Sequence, residues 1–260
     1  MSYLWSVFTK PWATLPGDEL GRVIAGIGFG GAEVPVRDTA YVTPANAAAE
    51  LPKFAAQLRA EGIEPISVAS DLSEPVFAAC AEAGVPMIRI MAELGPDGYA
   101  ASVRRNRELL ERAAVLTERY DVQVGVQPHH GRYVSSTLGV LQLLDGLPAR
   151  FRLVWDAAHD ALAGDHPAVT LELGAERLGI VNLKNVHYIR ADGGWKTTFV
   201  EGEDGLSDWP AVFATLRQLE YSGPVCLTAQ YSEAAVPVET RLERDLRFAV
   251  TSAAQHPSRQ

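Results

Sequence analysis

Cysteine is nearly absent: 260 residues contain two, Cys80 in an Ala-rich helical stretch and Cys226 in an apolar run. So sparse and distant a pair excludes a disulfide-stapled scaffold and reads as two inert core thiols in a reducing compartment. Basic charge is in deficit, with 23 Lys and Arg against 32 Asp and Glu, a formal −9. A nucleic-acid binder needs a basic face, so no nucleic-acid partner is expected. No apolar run is long enough to cross a bilayer, and Met1-Ser2-Tyr3-Leu4-Trp5 lacks the basic start of a signal peptide. The expectation is a cytoplasmic protein with no membrane partner. The first turn has no Gly-x-Gly-x-x-Gly after a strand, because Gly28-Phe29-Gly30-Gly31 follows a helical pattern. That removes the dinucleotide-binding fingerprint. No linker-like stretch divides the chain.

What is present is alternation. Short apolar runs at 4–8, 32–36, 65–69, 86–91, 122–126, 151–155, 180–183 and 225–228 read as eight strands. Helical patterns lie between them. Leu51, Phe54, Ala55 and Leu58 recur at i, i+3, i+4 and i+7, the stripe of a helix packed on a sheet. The longest helix is predicted over 99–120, the helix after the sixth strand around 168–173, and the last around Leu242, Leu246 and Val250. The segment 190–207 reads as a long Gly- and acid-rich loop, and His256–Gln260 as a frayed tail. Eight strand–helix units in this length predict a single-domain (β/α)₈ TIM barrel over residues 1–260.

In such a barrel chemistry sits at the carboxyl ends of the strands. Here they read Trp155-Asp156-Ala157-Ala158-His159, Asn182-Leu183-Lys184, Gln127-Pro128-His129 and Thr228-Ala229-Gln230. With Gly202–Trp209 and Tyr221-Ser222-Gly223-Pro224, in that order, these pieces resemble the xylose-isomerase-like superfamily of sugar isomerases and epimerases. The resemblance implies a site for Mn²⁺ or Mg²⁺ held by two Glu, one Asp and one His. The matching positions are Gln127, Asp156, Asn182 and Gln230, so one carboxylate remains and two have become amides. Hard divalent cations are held mainly by anionic oxygen. Metal binding is therefore expected to be weak or absent, and no other cofactor is implied.

An amide has no proton that titrates near neutrality, so Gln127 and Gln230 cannot replace the family's paired Glu as acid and base. They and Asn182 are assigned to binding hydroxyls. Asp156, His159, His129 (preferred to His130) and Lys184 are the candidate catalytic groups. His is tuned to neutral pH, and a lysine at a strand end can hold an enolate oxygen or form a Schiff base. His187, Lys10 and Trp12 are further candidates for contact with the ligand. Arg89, inside the fourth strand, reads as half of a structural ion pair. The resemblance implies proton transfer next to a carbonyl on a sugar or related polyhydroxylated metabolite. A lyase on a keto-sugar or glycoside-derived substrate and a catalytically silent ligand-binding barrel are the alternatives. A metal-dependent DNA-repair nuclease on this barrel is disfavoured by charge and by the amides. Self-association is compatible with the fold class, but no patch in the sequence specifies it.

Overall fold

The computed structural model describes residues 3–255; the expected fraying of His256–Gln260 lies outside them. Eight parallel strands close into one barrel: β1 (Leu4–Phe8), β2 (Gly31–Pro35), β3 (Glu64–Ala69), β4 (Met87–Met91), β5 (Gln123–Gln127), β6 (Phe151–Asp156), β7 (Leu178–Leu183) and β10 (Pro224–Leu227). Each pairs with its neighbours in chain order, and β1 closes the ring on β10 with Leu4 opposite Pro224 and Val7 opposite Leu227. Around it run α1 (Gly17–Ile27), α2 (Ala47–Ala60), α3 (Glu74–Ala83), α4 (Tyr99–Tyr120), α5 (Thr137–Leu144), α6 (Ala157–Ala163), α7 (Pro167–Gly174), α8 (Trp209–Gln218) and α9 (Val238–Ala254). No described helix is long and apolar enough to cross a membrane. Cys80 and Cys226 are both buried free thiols, and burial pushes Cys80 up to about 12.

Alternation along the strands divides the interior in two. One set of side chains meets the helices and forms the main core, including Val7, Leu51, Phe54, Phe77, Leu110, Trp155 and Trp209. The other set fills the lumen, where Met87, Val154, Ile180 and Cys226 form a small apolar cluster. Gly125 faces this cluster. A Cβ there would lie 2.6 Å from Val154 Cγ2 and 2.7 Å from Met87 Sδ, so the lumen is filled to the point where β5 has no room for a side chain. Closer to the strand ends the lumen turns polar, with Glu33, Ser67, Arg89, Gln127, Asp156 and Asn182 all buried.

Two segments depart from the sequence expectation. After β6 there are two helices rather than one, because Asp156 accepts the His159 amide and caps α6 immediately at the strand end. The predicted loop 190–207 instead holds most of an antiparallel hairpin, β8 (Asn185–Ala191) with β9 (Gly194–Val200). Its turn is Asp192-Gly193, both at positive φ (50° and 77°), the backbone a tight hairpin of this hand requires.

Candidate active site

The polar layer of the lumen is one line of alternating charge. Arg89 donates from Nε to Glu33 Oε1 and Oε2 at 2.9 and 2.8 Å and from Nη2 to Oε1 at 2.7 Å, while Ser67 donates to Oε2 at 2.8 Å. Arg89 Nη1 donates to Gln127 Oε1 at 2.7 Å, and Gln127 Nε2 donates to Asp156 Oδ2 at 2.6 Å. Lys184 Nζ lies 3.3 Å from that same carboxylate oxygen and 2.7 Å from His159 Nε2. The amide of Gln127 thus presents its acceptor to a cation and its donor to an anion. This arrangement fixes the side chain's orientation and explains an amide at this position: a carboxylate would face Asp156 directly.

These groups hold each other's protonation states. Burial alone would push Asp156 up, but Lys184, His159 and the capping amide outweigh it and hold the carboxyl below its ordinary range. Burial pulls the guanidinium of Arg89 down; Glu33 more than reverses this. Burial also lowers Lys184, with Asp156 pulling the other way and Arg89 and Lys10 adding to the depression. His159 is driven down to about 3, first by burial and then, against the pull of Asp156, by Lys184 and the other histidines. It is a neutral imidazole at ordinary pH. His130 N–H donates to His159 Nδ1 at 3.2 Å, so in that arrangement the ring proton sits on Nε2 and is given to a neutral Lys184 amine. When Lys184 is an ammonium it donates to Nε2 instead, the ring proton moves to Nδ1, and the bond from the His130 N–H is given up. The tautomer of His159 therefore follows the protonation of Lys184.

Above this layer opens a cavity of about 90 Å³ lined by Lys10, Arg37, Arg89, Gln127, His129, Asn182, Lys184, Thr228 and Gln230, with Phe8 and Met91. Phe199 of β9 places its ring centroid 5.5 Å from Lys184 Nζ. His129 Nδ1 lies 2.7 Å from the His130 carbonyl oxygen. A carbonyl only accepts, so Nδ1 carries the proton and Nε2 is left as a free acceptor. Burial and Lys184 lower the His129 pKa. Asn182 Oδ1 and Thr228 Oγ1 are buried without a hydrogen-bond partner among the described residues. Two unpartnered polar atoms on one cavity wall are groups that a bound hydroxyl would satisfy.

The structure therefore brings His129, Lys184, Gln127, Asn182, Gln230 and Lys10 to one cavity. Asp156 and His159 are 0% and 1% exposed and sit beneath Lys184 rather than on the cavity wall. They can position Lys184 but cannot touch a ligand. Trp12 turns away to donate its indole N–H to Glu239 in α9, and His187 lies on the hairpin with Nδ1 3.3 Å from the Asp204 carbonyl oxygen. Glu33, Arg37, Ser67 and Thr228 are members of the site that strand-end reading passed over. A signal existed for Glu33, an acid between Ala32 and Val34 in a strand that otherwise reads as buried.

The four positions matching metal ligands do not suit a divalent ion. Gln127 spends its oxygen on Arg89 and shows Asp156 its NH₂ group, while Lys184 already lies against the carboxylate. Among the described residues no three His, Cys, Asp or Glu side chains are placed to share a metal ion.

Comparison with known proteins identifies the fold and the family. The family model for the xylose isomerase-like TIM barrel matches residues 22–251. No curated protein sequence matches the chain. Among solved structures, 3-keto-D-glucoside 4-epimerase from E. coli aligns with TM-score 0.74 at 16% identity, over 96% of this chain and 100% of that one. L-ribulose 3-epimerase aligns with TM-score 0.75 at 12% identity, over 97% and 95%. A probable 3-DHS dehydratase from Bacillus anthracis aligns with TM-score 0.72 at 14% identity, over 96% and 99%. At these identities the likeness is one of fold.

Proposed function

The chain belongs to the xylose isomerase-like TIM barrel family, and from that premise we propose that it moves a proton at the carbon beside a carbonyl of a sugar or related polyhydroxylated metabolite, without a divalent metal. The observation that carries this reading is Lys184. Its ammonium is pinned by Asp156 and His159 at the base of a polar cavity, in the part of the site where the family's cation would neutralise Asp156. There it can hold the carbonyl oxygen and stabilise the enolate that forms when the adjacent C–H is broken. His129, neutral and with Nε2 free, is the base that takes the proton and returns it. Asn182, Thr228, Gln127 and Gln230 supply donors and acceptors for hydroxyls. Asp156 and His159 are positioning residues for Lys184.

The epimerases among the structural neighbours support a substrate of the sugar class, and the dehydratase among them supports a second outcome from the same first step. After the proton leaves, its delivery to the neighbouring carbon of the enediol gives an isomer and protonation of the same carbon from the opposite face an epimer, while expulsion of a β-hydroxyl, protonated by the His129 imidazolium and released as water, gives an enone. A silent barrel is less well supported, because the mouth is polar, open and lined by convergent ionisable groups rather than filled by apolar ones. The test is proton NMR in D₂O with a panel of ketoses and keto-sugars. Loss of the signal α to the carbonyl, abolished by His129→Asn and by Lys184→Met, is the expected result. Retention of all α protons across the panel, or exchange that survives both substitutions, overturns the reading.

A further inference from the structure

The charges that face the cavity are all of one sign. Lys10, Arg37, Arg89 and Lys184 line it, and among the described residues no carboxylate does. Two of these cations are already matched from beneath, Arg89 by Glu33 and Lys184 by Asp156. The other two are not. Neither Lys10, at the exit of β1, nor Arg37, just past β2, makes an ion pair or a side-chain hydrogen bond among the described residues. Both are exposed, on the same side of the mouth. The Arg37 guanidinium rests 5.5 Å above the Phe8 ring, which fixes it over the cavity wall without neutralising it. The cavity wall thus carries two cations without an ion-pair partner among the described residues, in a molecule whose formal charge is −9.

The cations also press on one another: burial first lowers the pKa of Arg37 and Arg89 adds to it against the pull of Glu33, while burial first lowers that of Lys184 and Arg89 and Lys10 add to it against the pull of Asp156. Such crowding of like charge is unfavourable in the free protein and is relieved by an anion. The carboxylates of this face stand elsewhere. Asp38, Asp71 and Glu93 line a separate, wider space of about 570 Å³ that shares only Arg37, Arg89 and Met91 with the cavity. They would repel an anion lodged there and leave the inner cavity as its seat.

We infer that the substrate carries an anionic group, a carboxylate or a phosphate, which Lys10 and Arg37 bind on the β1–β2 side while its carbonyl lies against Lys184 on the β7 side. This rests on the proton-transfer reading for the carbonyl end but not for the anion itself. Arg37 offers a planar fork to a carboxylate or phosphate, and Lys10 a point charge.

The test compares three ligands of one ketose scaffold by titration calorimetry: D-fructose, its C1 carboxylate 2-keto-D-gluconate, and D-fructose 6-phosphate. One of the anions is expected to bind about tenfold to hundredfold more tightly than fructose, the range of a charge-assisted contact or two. Which anion wins distinguishes carboxylate from phosphate. Lys10→Ala/Arg37→Ala should bring the affinity ratio of anion to fructose to near one. Both side chains are exposed, so the variant's fold can be confirmed by its melt. Equal affinity for all three, no binding by either anion at millimolar concentration, or an anion preference that survives the double substitution overturns the inference. The two readings fail separately. Deuterium exchange in fructose without an anion preference refutes this inference alone, whereas anion binding without exchange in any ketose refutes proton transfer alone.

Discussion

Lys184→Met isolates the contact on which the site depends. The substitution keeps the length of the side chain and removes its charge, leaving Asp156, 0% exposed, with only Gln127 Nε2 and the His159 amide as donors. Removing one partner of a buried pair costs about 3–5 kcal/mol. Protonation sets a ceiling of similar size: neutralising a carboxyl of ordinary pKa at pH 7 costs ~4 kcal/mol, from about three units at 1.36 kcal/mol each. At about 2 °C per kcal/mol for a chain of this length, the melt should fall by ~8 °C. The sign of the pH dependence is fixed. In the native protein Asp156 is held below its ordinary pKa, so its stabilisation is present above the unfolded value and is lost as pH falls. In the variant its folded pKa is raised instead. The ceiling then shrinks by 1.36 kcal/mol per unit of acidification, and the deficit should contract to ~3 °C at pH 5. Melts by circular dichroism at pH 5, 6 and 7, with Asp156→Asn/Lys184→Met as control, decide the matter. The control should recover at least half the loss. A fall under ~2 °C at pH 7, or an equal fall at pH 5 and pH 7, refutes the argument.

Three further outcomes are expected. The rate of proton exchange should be bell-shaped in pH with both limbs moved acidward: His129, lowered by burial, stays a base below its ordinary 6.5, and Lys184, also lowered, loses its ammonium below its ordinary 10.5. An alkaline limb at or above 10.5 contradicts this. Asp160 is pushed up to about 6 by burial even though it accepts both the Thr137 and Thr170 hydroxyls. A raised carboxyl costs stability in full above its folded pKa, and the cost fades to nothing only below the ordinary 3.8 of the unfolded chain, so Asp160→Asn should raise the melt more at pH 8 than at pH 4; a pH-independent change rules this out. Added Mn²⁺ or Mg²⁺ should not move the melt, and a rise that grows with ion concentration as linkage requires would show that Asp156 and its neighbours do hold a metal.

The strand ends were legible because alternation reveals which side chains leave the core beside one another, and a closed barrel brings all such ends to one rim. The family resemblance pointed to Gln127, Asn182 and Gln230, and alternation added Lys184, two beyond Asn182 on the same face. What lies beneath them was not legible. The pairing of Glu33 with Arg89 spans two strands and 56 positions, and alternation says which residues enter the lumen without saying which meet across it. Asp156 was assigned to the mouth from its family position and His159 from its spacing, but the same three-residue interval also suits a helix cap. The cap draws both under Lys184. The hairpin was readable in principle: Asp192-Gly193 between runs rich in aromatic and β-branched residues is a strong turn signal. The acids and glycines around it obscured that pattern.

Gln127 works as a rectifier. An amide set between Arg89 and Asp156 conducts polarity in one direction only, and it makes the site resistant to stepwise change. Gln127→Glu alone would set a second carboxylate against Asp156, with Arg89 on its other side, while Lys184 still lies against Asp156. Removing Lys184 first strands Asp156. A change to an acidic ligand set is therefore disfavoured at either first step, and gaining the carboxylate and losing the ammonium together is the less costly route. The arrangement acts as a ratchet that holds this barrel to whatever chemistry a lysine can support.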